Sequence, residues 1–183
     1  MSLPEFRHPG YTLEDWAAWD GRWELIDGIA YDMTPAPNFE HQDISMAMSV
    51  AIHIALSEIM QKGGSGHCQV LAAPLDVYLP SGVVQPDLVV VCDPAKKSSR
   101  GVEGAPDLVV EILSPSTASK DLTIKRWTYE TAGIPEYLIV LPSERFGMLL
   151  RLDATQHYQE AARVEWGAMV GLLGGRISIP LGS

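Results

Sequence analysis

"PDLVVEILSPST", residues 106–117, is the stretch on which the fold turns. In an extended strand, successive side chains point to opposite faces. Asp107, Val109, Glu111 and Leu113 then share one face, and Leu108, Val110 and Ile112 share the other. A strand that is apolar on both sides lies centrally in a sheet covered on both faces. Glu111 is therefore expected out of water, where an isolated carboxylate is expensive. It must be protonated, paired, or bound to a cation, and one divalent ion can satisfy several carboxylates together.

Just upstream, "VQPDLVVVCD" (84–93) repeats the Pro-Asp-Leu-Val-Val phrase and carries Asp87. Asp107 lies four residues from Glu111, about 13 Å along a strand, too far to share one ion. Asp87 reaches Glu111 if the two strands pair side by side. It follows Pro86, which cannot donate a ladder hydrogen bond and marks a strand start or an irregularity. Downstream, "SPSTAS" breaks the strand and supplies capping hydroxyls for a helix from about Lys120 to Ala132, closed by Gly133. Asp121, Lys125 and Tyr129 are spaced by four and form one stripe on that helix. If the stripe faces the sheet, Lys125 points at Glu111, with Lys120 as second candidate and Tyr129 as packing support. From spacing alone, a structural Glu111–Lys125 ion pair is an equal alternative to a metal site.

Around this centre, "TLEDWAAWD" (12–20) reads as a short helix capped by Thr12. "RWELIDGIAYDM" (22–33) reads as a hairpin turning at Asp27-Gly28. A long helix runs from about Phe39 to Met60, with Ile44, Ala47, Met48, Ala51 and Ala55 on its inner face, ended by "KGGSG" (62–66). "CQVLAAPLDVYLP" and "VVQPDLVVVCD" form a second hairpin around Pro80-Ser81-Gly82. Residues 93–105 read as a solvated loop carrying Lys96, Lys97 and Arg100. "EYLIVL" is a strand, and residues 145–181 form a strand-rich meander. The order of elements predicts an α/β (α+β) chain with a mixed sheet flanked by helices.

The 183 residues fit one domain, 1–183, with a hydrophobic fraction of 46% and a charged fraction of 20%. No apolar run approaches the roughly 20 residues needed to cross a membrane, and "MSLPEFRHPG" is not read as a signal peptide. Cys68 and Cys92 could pair, but two isolated thiols more often belong to a reduced cytoplasmic protein, which is the expectation here. No Cys-x-x-Cys or zinc-like histidine spacing occurs, nor a phosphate-binding glycine loop or a Gly-x-Ser-x-Gly elbow. The net charge of −10 works against nucleic-acid binding unless a basic patch or a bound metal intervenes.

Asp87, then Glu111, then a nearby lysine resembles the PD-(D/E)xK nuclease fold. More narrowly, "WELIDG" (23–28), "PAPNFEHQ" (35–42), "QPDLVVV" (85–91), "PDLVVEILSPST" (106–117) and "KRWTYETAGIPEYLIV" (125–140) resemble the Uma2 family (DUF820) of restriction-endonuclease-like proteins. These phrases span most of residues 12–141. The resemblance implies an endonuclease acting on DNA, with Asp87 and Glu111 holding Mg2+ or Mn2+. It implies Lys125 as the catalytic cation, Glu24 as a further acid, and His41 near the start of the long helix. The parent motif has its lysine two residues after the acid; here that residue is Leu113. The other readings are a binding or interaction module that has lost cleavage, and a homodimer whose buried charges only specify packing. A homodimer also follows by analogy, since duplex cutting needs two nicks.

Overall fold

A computed structural model describes residues 10–34, 36–61, 67–114 and 121–182. In chain order the elements are α1 (Leu13–Ala17), β1 (Trp23–Ile26), β2 (Ile29–Asp32), α2 (Phe39–Gln61), β3 (Gln69–Ala72), β4 (Val77–Leu79), β5 (Gly82–Val84) and β6 (Leu88–Val91). Then follow β7 (Lys97–Ser98), β8 (Gly101–Glu103), β9 (Leu108–Ile112) and α3 (Arg126–Thr131), which continues a π-helical turn at Asp121–Lys125. The chain closes with β10 (Glu136–Leu141), β11 (Phe146–Leu152), β12 (Tyr158–Glu165), β13 (Met169–Leu172) and β14 (Ile177–Pro180).

The predicted mixed α+β architecture is present. The central sheet runs β12-β11-β10-β9-β6-β3, with β9 and β10 parallel and the other neighbours antiparallel. The alternation read along β9 holds. Leu108, Val110 and Ile112 pack with Ile44, Met48, Ile52 and Leu56 of α2, together with β13 and β14. Val109 packs on the opposite face with Tyr129 and Ile134 and with the second sheet. The buried stripe of α2 extends through Ile52 and Leu56, which the alanine-based reading had passed over.

The second sheet, β2-β1-β5-β4-β8-β7, was not foreseen as a separate layer. Its origin is the second hairpin. The turn at Pro80-Ser81 joins β4 to β5 as expected, but both arms bend and cross between sheets. β3 pairs with β6 in the central sheet, while β4 pairs with β5 in the other. The bends fall at Pro74 and Pro86, which cannot donate to a ladder. The loop expected at 93–105 contains the short β7–β8 hairpin, with Val77 of β4 opposite Val102 of β8. Its cations are anchors: Lys96 Nζ donates to Ala105 O, Lys97 Nζ to His67 O, and Arg100 pairs with Glu103 over the Tyr78 ring.

Two other expectations need correction. Cys68 and Cys92 are joined by a disulfide that ties the edge strand β3 to β6, so they are not free thiols. The reason is register: Gln69 lies opposite Val91, which puts the two cysteines directly opposite each other. Second, α2 is long and apolar enough to cross a membrane by length and composition, with a mean hydropathy of 1.4. Alanines and isolated polar residues hid this from a reading based on unbroken apolar runs.

The hairpin tip depends on Gly82. Its φ is +138°, and a Cβ there would lie 2.0 Å from Leu25 O on the neighbouring strand. Gly82→Ala should cost at least about 2 kcal/mol in urea unfolding, since backbone strain and a backbone clash act together. Unchanged stability would show that β1 and β5 do not approach this closely.

Candidate active site

The site forms where the bent hairpin passes from one sheet to the other. β6 lies antiparallel to β9, with Leu88 opposite Val110. One step further along this register Asp87 faces Glu111, so the two carboxylates are cross-strand neighbours on one face. Regular pairing stops at this step. Asp87 Oδ2 instead accepts from the Ile112 N–H at 2.7 Å, and it lies 3.0 Å from His41 Nε2. His41 stands in the first turn of α2, where its own N–H donates to Asn38 Oδ1.

Glu111 is buried at 3% exposure, as the alternation required. Lys125, 2% exposed, donates to Glu111 Oε1 at 2.7 Å and lies 2.9 Å from Glu24 Oε1. The Tyr129 hydroxyl donates to the same Glu111 oxygen at 2.6 Å. Lys125 and Tyr129 thus share the four-residue stripe read from the sequence, and it faces the sheet. The side chain of Asp121 and the whole of Lys120 lie outside the described residues. Glu24, fully buried on β1, accepts from the Gln85 N–H at 2.8 Å. Gln85 in turn takes Arg22 on its Oε1 and gives its Nε2–H to Asp76.

A cavity of about 720 Å³ opens onto this cluster, and Arg22, His41, Gln85, Asp87, Glu111 and Lys125 lie on its wall. Among the described residues, no group of three or more His, Cys, Asp or Glu is arranged to hold a metal ion. Sequence reasoning missed Arg22 and Gln85 at the cavity wall; Tyr129 packs in the core as read, and its hydroxyl also bonds Glu111. Arg22 lies two residues before Glu24, so it shares its strand face. Tyr129 carried a signal in the i+4 spacing from Lys125, which was read only as packing.

The central sheet, with Glu111 on β9 and Asp87 just before the adjacent β6, flanked by α2 and α3, has the restriction-endonuclease-like fold. A family model described as "Uma2: Putative restriction endonuclease" matches residues 11–173, and the chain belongs to that family. A crystal structure described as a "putative nuclease belonging to DUF820 from Anabaena variabilis ATCC 29413" superposes with a TM-score of 0.72 at 18% identity. It covers 94% of this chain and 96% of the other, and it shows the shared fold. An uncharacterized protein of Synechocystis sp., slr1290, is 28% identical over 144 residues, which is 75% of this chain and 72% of that protein.

Tyr129 gives a pH signature. Burial first, then the charges of Glu111 and Glu24, push its phenol well above the ordinary value of 10.0. The unfolded chain therefore releases this proton first as pH rises. The stability tied to Tyr129 is whole below pH 10 and is lost above it, at about 1.4 kcal/mol per pH unit. Tyr129→Phe should cost about 2 kcal/mol near pH 8. The gap to wild type should narrow above pH 10 in urea titrations, and a gap constant through that range would contradict this environment.

Proposed function

We propose that this protein is a divalent-metal-dependent endonuclease that hydrolyses phosphodiester bonds in DNA. The observation that carries the proposal is the opposition of Asp87 and Glu111 on one cavity wall, with the Lys125 ammonium reaching the same Glu111 oxygen. The donor set fits Mg2+ or Mn2+. Hard cations take oxygen ligands, and Mg2+ is commonly held by one or two carboxylates together with water and substrate phosphate. Glu111 and Glu24 share the Lys125 ammonium, and Asp87 lies beside the imidazole of His41.

When bound, such an ion supplies Lewis acidity toward a phosphoryl oxygen and acidifies water. The chain's own groups supply the rest. Asp87 and Glu111 would hold the ion. Glu24, fixed by the Gln85 N–H, shares Lys125 with Glu111 and sets the direction of its ammonium. Lys125 then stabilises charge that develops on the phosphoryl group. Tyr129 fixes the rotamer of Glu111, and His41 holds or moves a proton at Nε2 beside Asp87. Arg22, held on Gln85 at the cavity wall, is placed to meet a phosphate. Two copies related by a two-fold axis would offer one site to each strand of a duplex.

The second reading is a nucleic-acid-binding module without cleavage, favoured by Leu113 at the parent lysine position and by the net charge of −10. Plasmid incubated with Mg2+ or Mn2+ separates the two. Cutting that falls at least about a hundredfold in Asp87→Ala and Glu111→Gln supports the first. DNA retention without cutting supports the second. Titrating Mn2+ by calorimetry into wild type and Glu111→Gln checks the ion site by itself, and equal heats would refute it.

A further inference from the structure

A second cavity, of about 410 Å³, lies beside the one that holds Asp87 and Glu111, and Pro74 and Gln85 stand on the wall of both. Asp76, Lys97, Ser99 and Arg100 also line it. We propose that this cavity binds the phosphate next to the scissile one, so that an unpaired DNA strand crosses from the first cavity to the second over Pro74 and Gln85. The proposal rests on the cleavage reading for its substrate and adds the path of the strand.

The partition between the cavities is fixed by hydrogen bonds. Gln85, 8% exposed, accepts from Arg22 Nε and Nη2 on its Oε1 and gives its Nε2–H to Asp76 Oδ1. Arg22 lines the first cavity and Asp76 the second. Cations thus flank the partition, Arg22 on one side and Lys97 and Arg100 on the other. Lys97 and Arg100 are held in place with donors to spare. Lys97 spends one of its ammonium hydrogens on His67 O. Glu103 takes Nε and Nη2 of Arg100, whose guanidinium lies 4.1 Å from the centre of the Tyr78 ring, and the Nη1 hydrogens remain. Side chains already held lose little freedom when an anion arrives. In a chain of net charge −10 they give a phosphate a local place to bind.

Size and depth favour one strand over two. Cavities of 410 and 720 Å³ fall within the range of about 300–1,000 Å³ that encloses a small molecule. Glu111 and Lys125, 3% and 2% exposed, lie at depth, and a phosphate of an intact duplex brings the paired strand with it. A single strand follows a cationic groove by its backbone alone. A duplex would have to open locally first.

Fluorescence anisotropy of a short labelled oligothymidylate tests the path, in EDTA so that nothing is cut. Lys97→Ala and Arg100→Ala should each weaken binding about tenfold. Each should also lower the slope of log affinity against log salt by about one. Ser99→Asp, a change at an exposed hairpin tip, should weaken binding with the melting temperature unchanged, and Ser99→Lys should tighten it. Absence of binding by wild type, or affinity unmoved in all four variants, overturns the proposal. So does equally tight binding of the same strand paired with its complement. Thymidine monophosphate that competes as well as the oligomer marks a site for small anions and overturns the strand path. The two readings fail separately. A chain that binds the strand this way and never cuts with Mn2+ overturns cleavage alone, and one that cuts yet ignores Lys97 and Arg100 overturns the path alone.

Discussion

One buried ammonium shared by two carboxylates organises the region between the sheets. Lys125 reaches Glu111 on β9 and Glu24 on β1, so one side chain from the segment leading into α3 joins both layers. Removing charges from water is costly, and a buried ion pair often adds nothing over apolar side chains of similar size. The cluster is therefore poorly explained as a stability device. Breaking it is another matter, because Glu24 and Glu111 would then face each other buried without their shared cation.

Glu136 shows how the same chain buries an acid for structure alone. Its two oxygens accept from the Leu173 and Gly174 N–H groups and from Arg151, and it lies away from the large cavity. Backbone donors close that site. Glu111 is instead served by two side chains, Lys125 and Tyr129, and it lies on a cavity wall beside Asp87. Buried acids with such partners at a cleft are where chemistry is sought.

Much of this was legible in the residues. Two-residue alternation placed Glu111 inside a central strand, and four-residue spacing brought Lys125 and Tyr129 to it. The Asp27-Gly28 turn, with positive φ at both residues, and the Thr12 capping box were likewise written locally. What was not legible depends on long-range pairing. "CQVLAAPLDVYLP" reads as one strand, yet it divides between two sheets because Pro74 and Pro86 interrupt both arms of its hairpin. No local pattern says which sheet each half joins. For the same reason the opposed cysteines, the Gln85–Glu24 contact and the Arg22–Gln85 contact were invisible. In the two Gln85 contacts, residues more than 60 positions apart meet through the register of β1 with β5.

Lys125 reaches Glu111 from the segment that leads into α3 and not from β9 itself. A cation at position 113 would arrive with its strand, fixed as soon as β9 paired. Lys125 arrives only when its helix docks. That docking is secured at the far end, where Gly133 takes positive φ and the Ile134 N–H reaches back to Tyr129 O, closing α3. Ile134 and Tyr129 are both fully buried in the core between β9, β10 and the second sheet. Tyr129 thus has two tasks. Its ring packs α3 onto the sheet, and its hydroxyl orients Glu111 toward the ammonium one turn earlier. The helix stop, the packing of the ring and the aim of the lysine are then a single constraint, and the site is assembled only when the last of them is met.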